Sequence, residues 1–447
     1  MTISQMQAAA PPGQEQLDTA TYRRLQALTA QLAGERYDQA IAEHARFLAI
    51  RDRPLCMPET ALSARLDGAV VLVTGGTGCI GSALIGQLAA YKPARIVSVS
   101  RGVTRSEWPW RAAAGYQRAD VRNRAAMDVL IGHIKPDIIF HVAAQRDPGL
   151  AETEVHRTVT TNVLGTRNVM EAAASAGVPQ VVCASTGKAL RPYSPDMYTA
   201  SKRAAEWVTS QMAGEMLVSA ARFTHVGDNS IIYRRLREWA ASKDRVIRLH
   251  SPGISFYVQS AAESAQLLLL ACLGATPGEF RIHAISDLGW PVSLLDLALG
   301  VLADTGSAAP VYISGYDQGY EEVPFPGLYD PATAGDVSPL LNAFEAAAVV
   351  ESPCPVVDAF RVDMASGHGT GKLLGILAEV CDRTEDPGAV RGALDDLSWG
   401  LLDASLTAAP GPVLARMAAL TRQAPGLSAE YSEILRRIEG ALHPVGA

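Results

Sequence analysis

Several common protein classes are excluded by what this 447-residue chain lacks. Its six cysteines (Cys56, Cys79, Cys183, Cys272, Cys354, Cys381) are scattered, with neither metal-ligand spacing nor a disulfide framework. Reduced thiols in a cytoplasmic setting and no metal are therefore expected. No apolar run approaches the roughly 20 residues that span a bilayer; the longest candidate, Leu267–Cys272, reads as part of a buried helix. The first residues lack the basic-then-apolar order of a signal peptide, so no membrane partner is expected. Dense basic runs are missing and the net charge is −7, which argues against nucleic acid as an obligate partner. Internal repeats are not evident. What is present is an apolar fraction of 48%, enough at this length for a large domain with appendages.

The most informative stretch is Val70-Val-Leu-Val-Thr-Gly-Gly-Thr-Gly-Cys-Ile-Gly81. A β-branched and aliphatic run ends at Thr74, glycines follow at 75, 78 and 81, and an apolar helical period (Ile80, Ala83, Leu84, Leu88) begins. Strand, tight turn and helix start in this order seat a dinucleotide pyrophosphate on backbone N–H groups at a helix N-terminus. Gly75 is expected to supply the turn, Gly78 the close approach to phosphate and Gly81 the helix–strand packing, with Thr77, Cys79 and Ile80 in the same cradle. Downstream, short buried strands (Ile96–Val99, Ile138–Phe140, Val181–Cys183, Leu217–Ala221) alternate with helices (Ala125–Ile134, Val159–Ala176, Tyr198–Ala213, Ala261–Ala271). That alternation predicts an α/β fold of the Rossmann type, a doubly wound parallel sheet with helices on both faces. Residues 1–16 read as a disordered lead-in and 17–66 as a helical extension, with a linker at Arg51–Pro58. The dinucleotide-binding domain and a small substrate-binding subdomain occupy 67–335, and 336–447 reads as a helical C-terminal domain. The apolar faces of the N- and C-terminal helices favour an intramolecular core, with the two sets packed together as a second small domain; a lid, a dimer interface and a partner-docking module are the alternatives.

Tyr198-Thr-Ala-Ser-Lys202 opens one of these helices, placing Tyr198 and Lys202 one turn apart on one face, with Thr186 just past the strand Val181–Cys183. A cationic lysine and an oxidised nicotinamide would lower the tyrosine from its free pKa of about 10. Tyr198 then exchanges a proton with a substrate hydroxyl while hydride moves, and Thr186 fixes the same oxygen. The competing reading of each part alone is a surface helix with a chance Tyr and Lys. The order of glycine turn, strand-end Thr and Tyr–Lys pair along the chain favours the catalytic one.

On these residues the chain resembles the extended short-chain dehydrogenase/reductases, and within them the polysaccharide-biosynthesis branch of UDP-N-acetylhexosamine 4,6-dehydratases and epimerases. Further matching stretches are Ala119-Asp-Val-Arg, His141-Val-Ala-Ala, Thr161-Asn-Val-Leu-Gly-Thr-Arg-Asn-Val, Ala184-Ser-Thr-Gly-Lys-Ala, Tyr198 to Glu206, Leu249 to Ala265 and Gly315–Glu322. The resemblance implies that Asp120 and Val121 contact adenine, that Ala143 and Ala144 line the cofactor channel, and that Asn162 braces the catalytic helix. It also implies that Thr186, Tyr198 and Lys202 act together, and that a homodimer forms. At the end of the second strand Ser100 and Arg101, with Arg105 nearby, stand where an acidic residue would favour NAD. Serine plus arginine accept a 2′-phosphate, so NADP is expected, with NAD second.

The chain also departs from that family. Gly187 and Lys188 follow Thr186 where the dehydratases carry an Asp that protonates the departing hydroxyl. Thr224-His225-Val226 replaces Gly-Asn-Val, Ser255 replaces a diphosphate-binding Arg, and Arg146-Asp147 replaces Lys-His. Asp196 is a candidate substitute acid, with a turn-forming role as the alternative. Arg146, His225 and Ser255 are taken as substrate-binding positions. The resulting expectation is a nucleotide-sugar epimerase or oxidoreductase working through a keto-sugar. Alternatives are a 4,6-dehydratase, an oxidoreductase on a non-nucleotide substrate, and a non-catalytic dinucleotide-binding protein.

Overall fold

The computed structural model describes residues 1–50, 55–102, 112–242, 245–289, 291–316, 338–346, 348–362, 369–423 and 427–443. It divides into two compact units. One comprises Met1–Pro54, Thr224–Glu263 and Leu288–Glu322; the other comprises Leu55–Phe223, Ser264–Asp287 and Val323–Ala447.

The larger unit is built on a nine-stranded sheet. Its strands in chain order are β1 (Val70–Thr74), β2 (Arg95–Ser100), β3 (Gly115–Arg118), β4 (Ile138–His141), β5 (Gln180–Thr186), β6 (Leu217–Phe223), β7 (Phe280–Ile285), β8 (Val349–Val350) and β9 (Val357–Arg361). Across the sheet the order is β8-β9-β7-β6-β5-β4-β1-β2-β3. Pairing is parallel from β3 to β7, and antiparallel where β9 meets β7 and β8 meets β9. Every residue of β4 is buried, the continuous apolar run that a sheet covered on both faces requires. Strand order reverses beside β1, so the carboxyl ends of β1 and β4 open the crevice where ligands bind in doubly wound sheets. The Rossmann-type expectation therefore holds.

Three expectations change. Residues 1–16 are not a disordered lead-in: Thr2–Ala9 is helical, Met6 and Ala10 are buried, and the Pro11 carbonyl accepts from the Tyr312 hydroxyl at 2.8 Å. A polar, proline-containing stretch hides these few anchors, because composition averages over them. Nor do the terminal helices form one domain. Helices Thr19–Glu35 and Tyr37–Ala49 share the smaller unit's core with Leu294–Thr305 and the parallel pair Ile247–Leu249/Val311–Ile313. Gly300 permits the closest approach, since a Cβ there would lie 2.5 Å from the Ala40 carbonyl oxygen. Arg36 and the buried Asp296 form an ion pair at 2.7 Å in the same core. The C-terminal helices Thr370–Arg383, Pro387–Ala408, Gly411–Gln423 and Ala429–Leu442 belong instead to the unit that carries the sheet. Finally, the region after 336 is not purely helical, since β8 and β9 extend the sheet. At two and five residues, these strands are too short to give a readable alternation.

Candidate active site

The glycine turn follows β1. Gly75 has φ +71°, a left-handed conformation natural to glycine, and a Cβ there would come within 2.8 Å of the Ala143 nitrogen. A Cβ on Gly81 would lie 2.3 Å from the Gly75 carbonyl oxygen. Gly78 is exposed and caps the helix Cys79–Leu88, and a Cβ there would meet only the Gly75 oxygen, at 3.2 Å. A helix start leaves its first N–H groups without intrahelical acceptors. The open side at Gly78, flanked by half-buried Thr77, Cys79 and Ile80, therefore fits a phosphate-bearing dinucleotide. Gly76 is an added requirement: its Cβ would meet the Ser98 hydroxyl at 2.5 Å. It sits inside the same motif, and its contact with β2 is the signal that sequence spacing lacks.

From this turn a hydrogen-bonded path runs to the tyrosine helix Met197–Ser210. The Thr74 hydroxyl accepts from the Val142 and Ala143 N–H groups at 3.2 and 3.3 Å. Half-buried Ala143 and Ala144 lead to Gln145, whose N–H donates to Asn162 Oδ1 at 2.7 Å. Asn162 lies in a wide π-helical turn, Thr160–Leu164, and its Nδ2 donates to the Gln145 carbonyl and to Ser201 Oγ, both at 3.0 Å. Ser201 Oγ donates in turn to the Tyr198 carbonyl at 2.9 Å.

Thr186 is the last residue of β5, which runs beyond Cys183. Its hydroxyl favours the ionised form of the Tyr198 phenol. Burial pushes that phenol up from its ordinary value, while the Thr186 hydroxyl and the Arg146 charge pull it back. From the protein's own groups the net direction is upward. The Lys202 ammonium donates to the Ala184 carbonyl at 2.7 Å, and burial depresses it. Asp196, buried at 3% exposure, caps the helix by accepting from Thr199 N at 2.7 Å, so its carboxylate is committed. Glu152 accepts from Met197 N at 2.8 Å and from Arg391 at 2.7 Å, fixing the start of the same helix.

At the other end of the crevice Ser100 Oγ lies 3.2 Å from the Tyr116 hydroxyl, and the exposed Arg101 accepts through its carbonyl from Arg118 at 2.9 Å. Asp120 is half-buried. Burial would raise it, but bonds from Arg122, whose ion pair measures 2.7 Å, hold it below the usual carboxylate range. Val121 is buried against Gly165, where a Cβ would come within 2.9 Å of its side chain. Arg105 lies outside the described residues, as do 317–322 of the Gly315–Glu322 stretch. Arg146 is exposed beside Asp147, which caps the helix Pro148–Thr153. His225 and Ser255 belong to the smaller unit. His225 Nε2 lies 2.6 Å from Ser230 Oγ, with its ring edge-on to Phe256; exposed Ser255 pairs with Ser293.

Sequence reasoning missed a buried charge cluster behind Thr186 and Lys202. Arg222 is fully buried and binds Glu206 (2.8 Å) and Glu345 (2.6 Å); Arg203 contacts the same two carboxylates. Burial would raise Glu206, but Arg222, Arg203 and the Ser185 hydroxyl hold it low. Glu206 stands four residues after Lys202, a helical spacing that could have pointed to it; Glu345 carries no local signal.

The family model described as "Polysaccharide biosynthesis protein" matches residues 71–320. The probable polysaccharide biosynthesis protein EpsC of Bacillus subtilis is 27% identical over 290 residues, 62% of this chain and 46% of that protein. The capsular polysaccharide biosynthesis protein CapD of Staphylococcus aureus is 28% identical over 266 residues, 57% of this chain and 43% of that one. The chain thus spans under half the length of these relatives. Among solved structures, Pen from Bacillus thuringiensis shares the fold at a TM-score of 0.56 and 20% identity, covering 68% of this chain and 89% of that one. Among the described residues no helix is long and apolar enough to cross a membrane, and no cluster of His, Cys, Asp and Glu suits a metal ion.

Proposed function

Because the chain belongs to the polysaccharide biosynthesis protein family, we propose that it is an NADP-dependent enzyme that oxidises a hydroxyl of a nucleotide sugar to a ketone. Return of hydride to the opposite face then gives the epimer, and release of the ketone gives net oxidation. The observation that carries this reading is the path Thr74–Ala143–Gln145–Asn162–Ser201–Tyr198, which ends on the Tyr198 carbonyl. It ties the turn that fits a dinucleotide to the residue whose phenol handles the proton. A bound nicotinamide supplies the hydride acceptor and, when oxidised, a positive charge that helps an uplifted phenol release its proton. With its own proton released to water, Tyr198 as the phenolate takes the substrate O–H proton, Thr186 orients that oxygen, and Lys202 adds positive charge one turn along the helix. NADP is favoured because Ser100 ends β2 and Arg101 follows it, while the nearby Asp120 carboxylate is paired with Arg122.

A second reading, a substrate without a nucleotide, draws on exposed Ser255, which offers no charge to a diphosphate. Incubating the purified protein with UDP-N-acetylglucosamine and UDP-glucose separates the two. Epimer formed without net cofactor change supports the first reading; inertness toward nucleotide sugars with turnover of free hydroxy compounds supports the second. The variant Tyr198→Phe is expected to lose at least about a hundredfold in turnover while still binding NADPH. Undiminished turnover would remove the phenol from the reaction.

A further inference from the structure

The buried cluster poses a question of charge. Arg203 and Arg222 are 6% and 0% exposed, and the tyrosine helix supplies only Glu206 to neutralise them. A second buried guanidinium without a carboxylate would be strongly destabilising. Glu345, on the short helix Ala343–Ala346, provides it: Oε2 accepts from Arg222 Nη1 at 2.6 Å, Oε1 from Nη2 at 2.8 Å and from Arg203 Nη1 at 3.1 Å. The other edge of Arg222 holds Glu206, whose Oε1 also accepts from Ser185 Oγ at 2.5 Å. Ser185 directly precedes Thr186, and Arg203 directly follows Lys202. The segment Ser338–Ala346 touches the intervening connection as well. The Leu340 carbonyl accepts from Arg222 at 3.0 Å, the Leu340 side chain fills the space where a Cβ on Gly187 would lie, and Asn342 donates to the Leu190 carbonyl at 2.7 Å.

We propose that Glu345 is a positioning residue: by closing the Arg203–Arg222–Glu206 cluster it fixes the end of β5 against the tyrosine helix, and so sets Thr186 against Tyr198 and Lys202. The role in turnover rests on the hydride-transfer reading above; the positioning itself does not. Glu345→Gln keeps the shape and removes the charge. In that variant amide hydrogen exchange over 183–202 is expected to rise, while exchange over 70–88, at the glycine turn, stays as in the parent. NADPH affinity is expected to hold within about threefold, and kcat to fall about tenfold with little change in sugar KM. Glu345→Asp, which keeps the carboxylate, is expected to recover part of that loss. Should Glu345→Gln fail to fold, the charge-balanced pair Arg203→Met/Glu345→Gln carries the same measurements, since Arg222 is then still gripped on one edge only. Unchanged exchange over 183–202, or a rise shared equally by 70–88, overturns the proposal. Selective loosening in a protein whose parent turns over neither nucleotide sugars nor free hydroxy compounds would leave the positioning intact and discard the hydride-transfer reading.

Discussion

At the glycine turn, order comes from backbone meeting backbone. Gly75 sits against Ala143 and Gly81 against Gly75, with no side chain interposed. At the connection between Thr186 and Tyr198, order comes from side chains far along the sequence. Tyr193 stacks on Trp399 at 3.8 Å and donates to Asp395 at 2.8 Å; Arg222 reaches Glu345. On the proposed function the turn presents N–H groups to a dinucleotide, so a side chain filling the space at Gly75, Gly78 or Gly81 would obstruct it. The connection aims two hydroxyls and an ammonium, so it needs rigid support, which buried ion pairs and stacked rings provide. Substitutions that add a methyl group should accordingly harm the two regions differently.

The sharpest contrast is at Gly81. Its Cβ would stand 2.3 Å from a backbone oxygen, which no rotamer change relieves. Gly81→Ala is expected to cost about 3 kcal/mol or more in stability and to abolish measurable NADPH binding, checked by chemical denaturation and fluorescence titration. Retained binding would mean that the turn is not the dinucleotide cradle.

This contrast also explains what the sequence discloses. The turn is written in consecutive residues, because helix start, left-handed glycine and strand end are local events; Gly75, Gly78 and Gly81 can be read directly. Strand and helix positions are legible for the same reason, since burial on both sheet faces leaves apolar runs such as Ile138–Phe140. Thr186, Tyr198 and Lys202 are visible through helical spacing and their order along the chain. Their support is not. Glu345 pairs with Arg222 across 123 positions and Asp395 with Tyr193 across 202, and long-range pairs leave no periodic trace. The depth of burial that raises the Tyr198 phenol is likewise invisible in residue identity.

Gly187 tests the connection with a smaller change. A Cβ there would come within 2.5 Å of Leu340 Cδ2, the far end of a side chain that can move. Gly187→Ala is expected to destabilise by about 2 kcal/mol through overpacking. Leu340→Ala should offset part of that cost in the double variant, because the crowding atom is then gone. A double-mutant cycle by urea unfolding measures the coupling; strict additivity would show that Leu340 does not occupy this space. Relief of this kind is unavailable at Gly81, where the opposing atom is backbone.

The smallest effect concerns protons. Beneath the turn, His141 is 4% exposed between Thr74 (2.8 Å from Nδ1) and Thr166 (3.1 Å from Nε2). Burial, aided by the Lys202 charge, pushes it from 6.5 down to about 3. The unfolded chain therefore takes up a proton near pH 6.5 that the folded protein refuses until about pH 3. Stability from this group is complete above the first value and is lost as pH falls toward the second, by up to about 1.4 kcal/mol per pH unit. Arg222 and Glu206 behind Thr186 contribute no such slope there, since burial would lower Arg222 but the carboxylates beside it hold it raised and charged, and Glu206 is held low. Urea unfolding at pH 6.5 and 5.5 should thus show a steeper loss in the parent than in His141→Gln, and parallel losses would place the histidine's proton in both states alike.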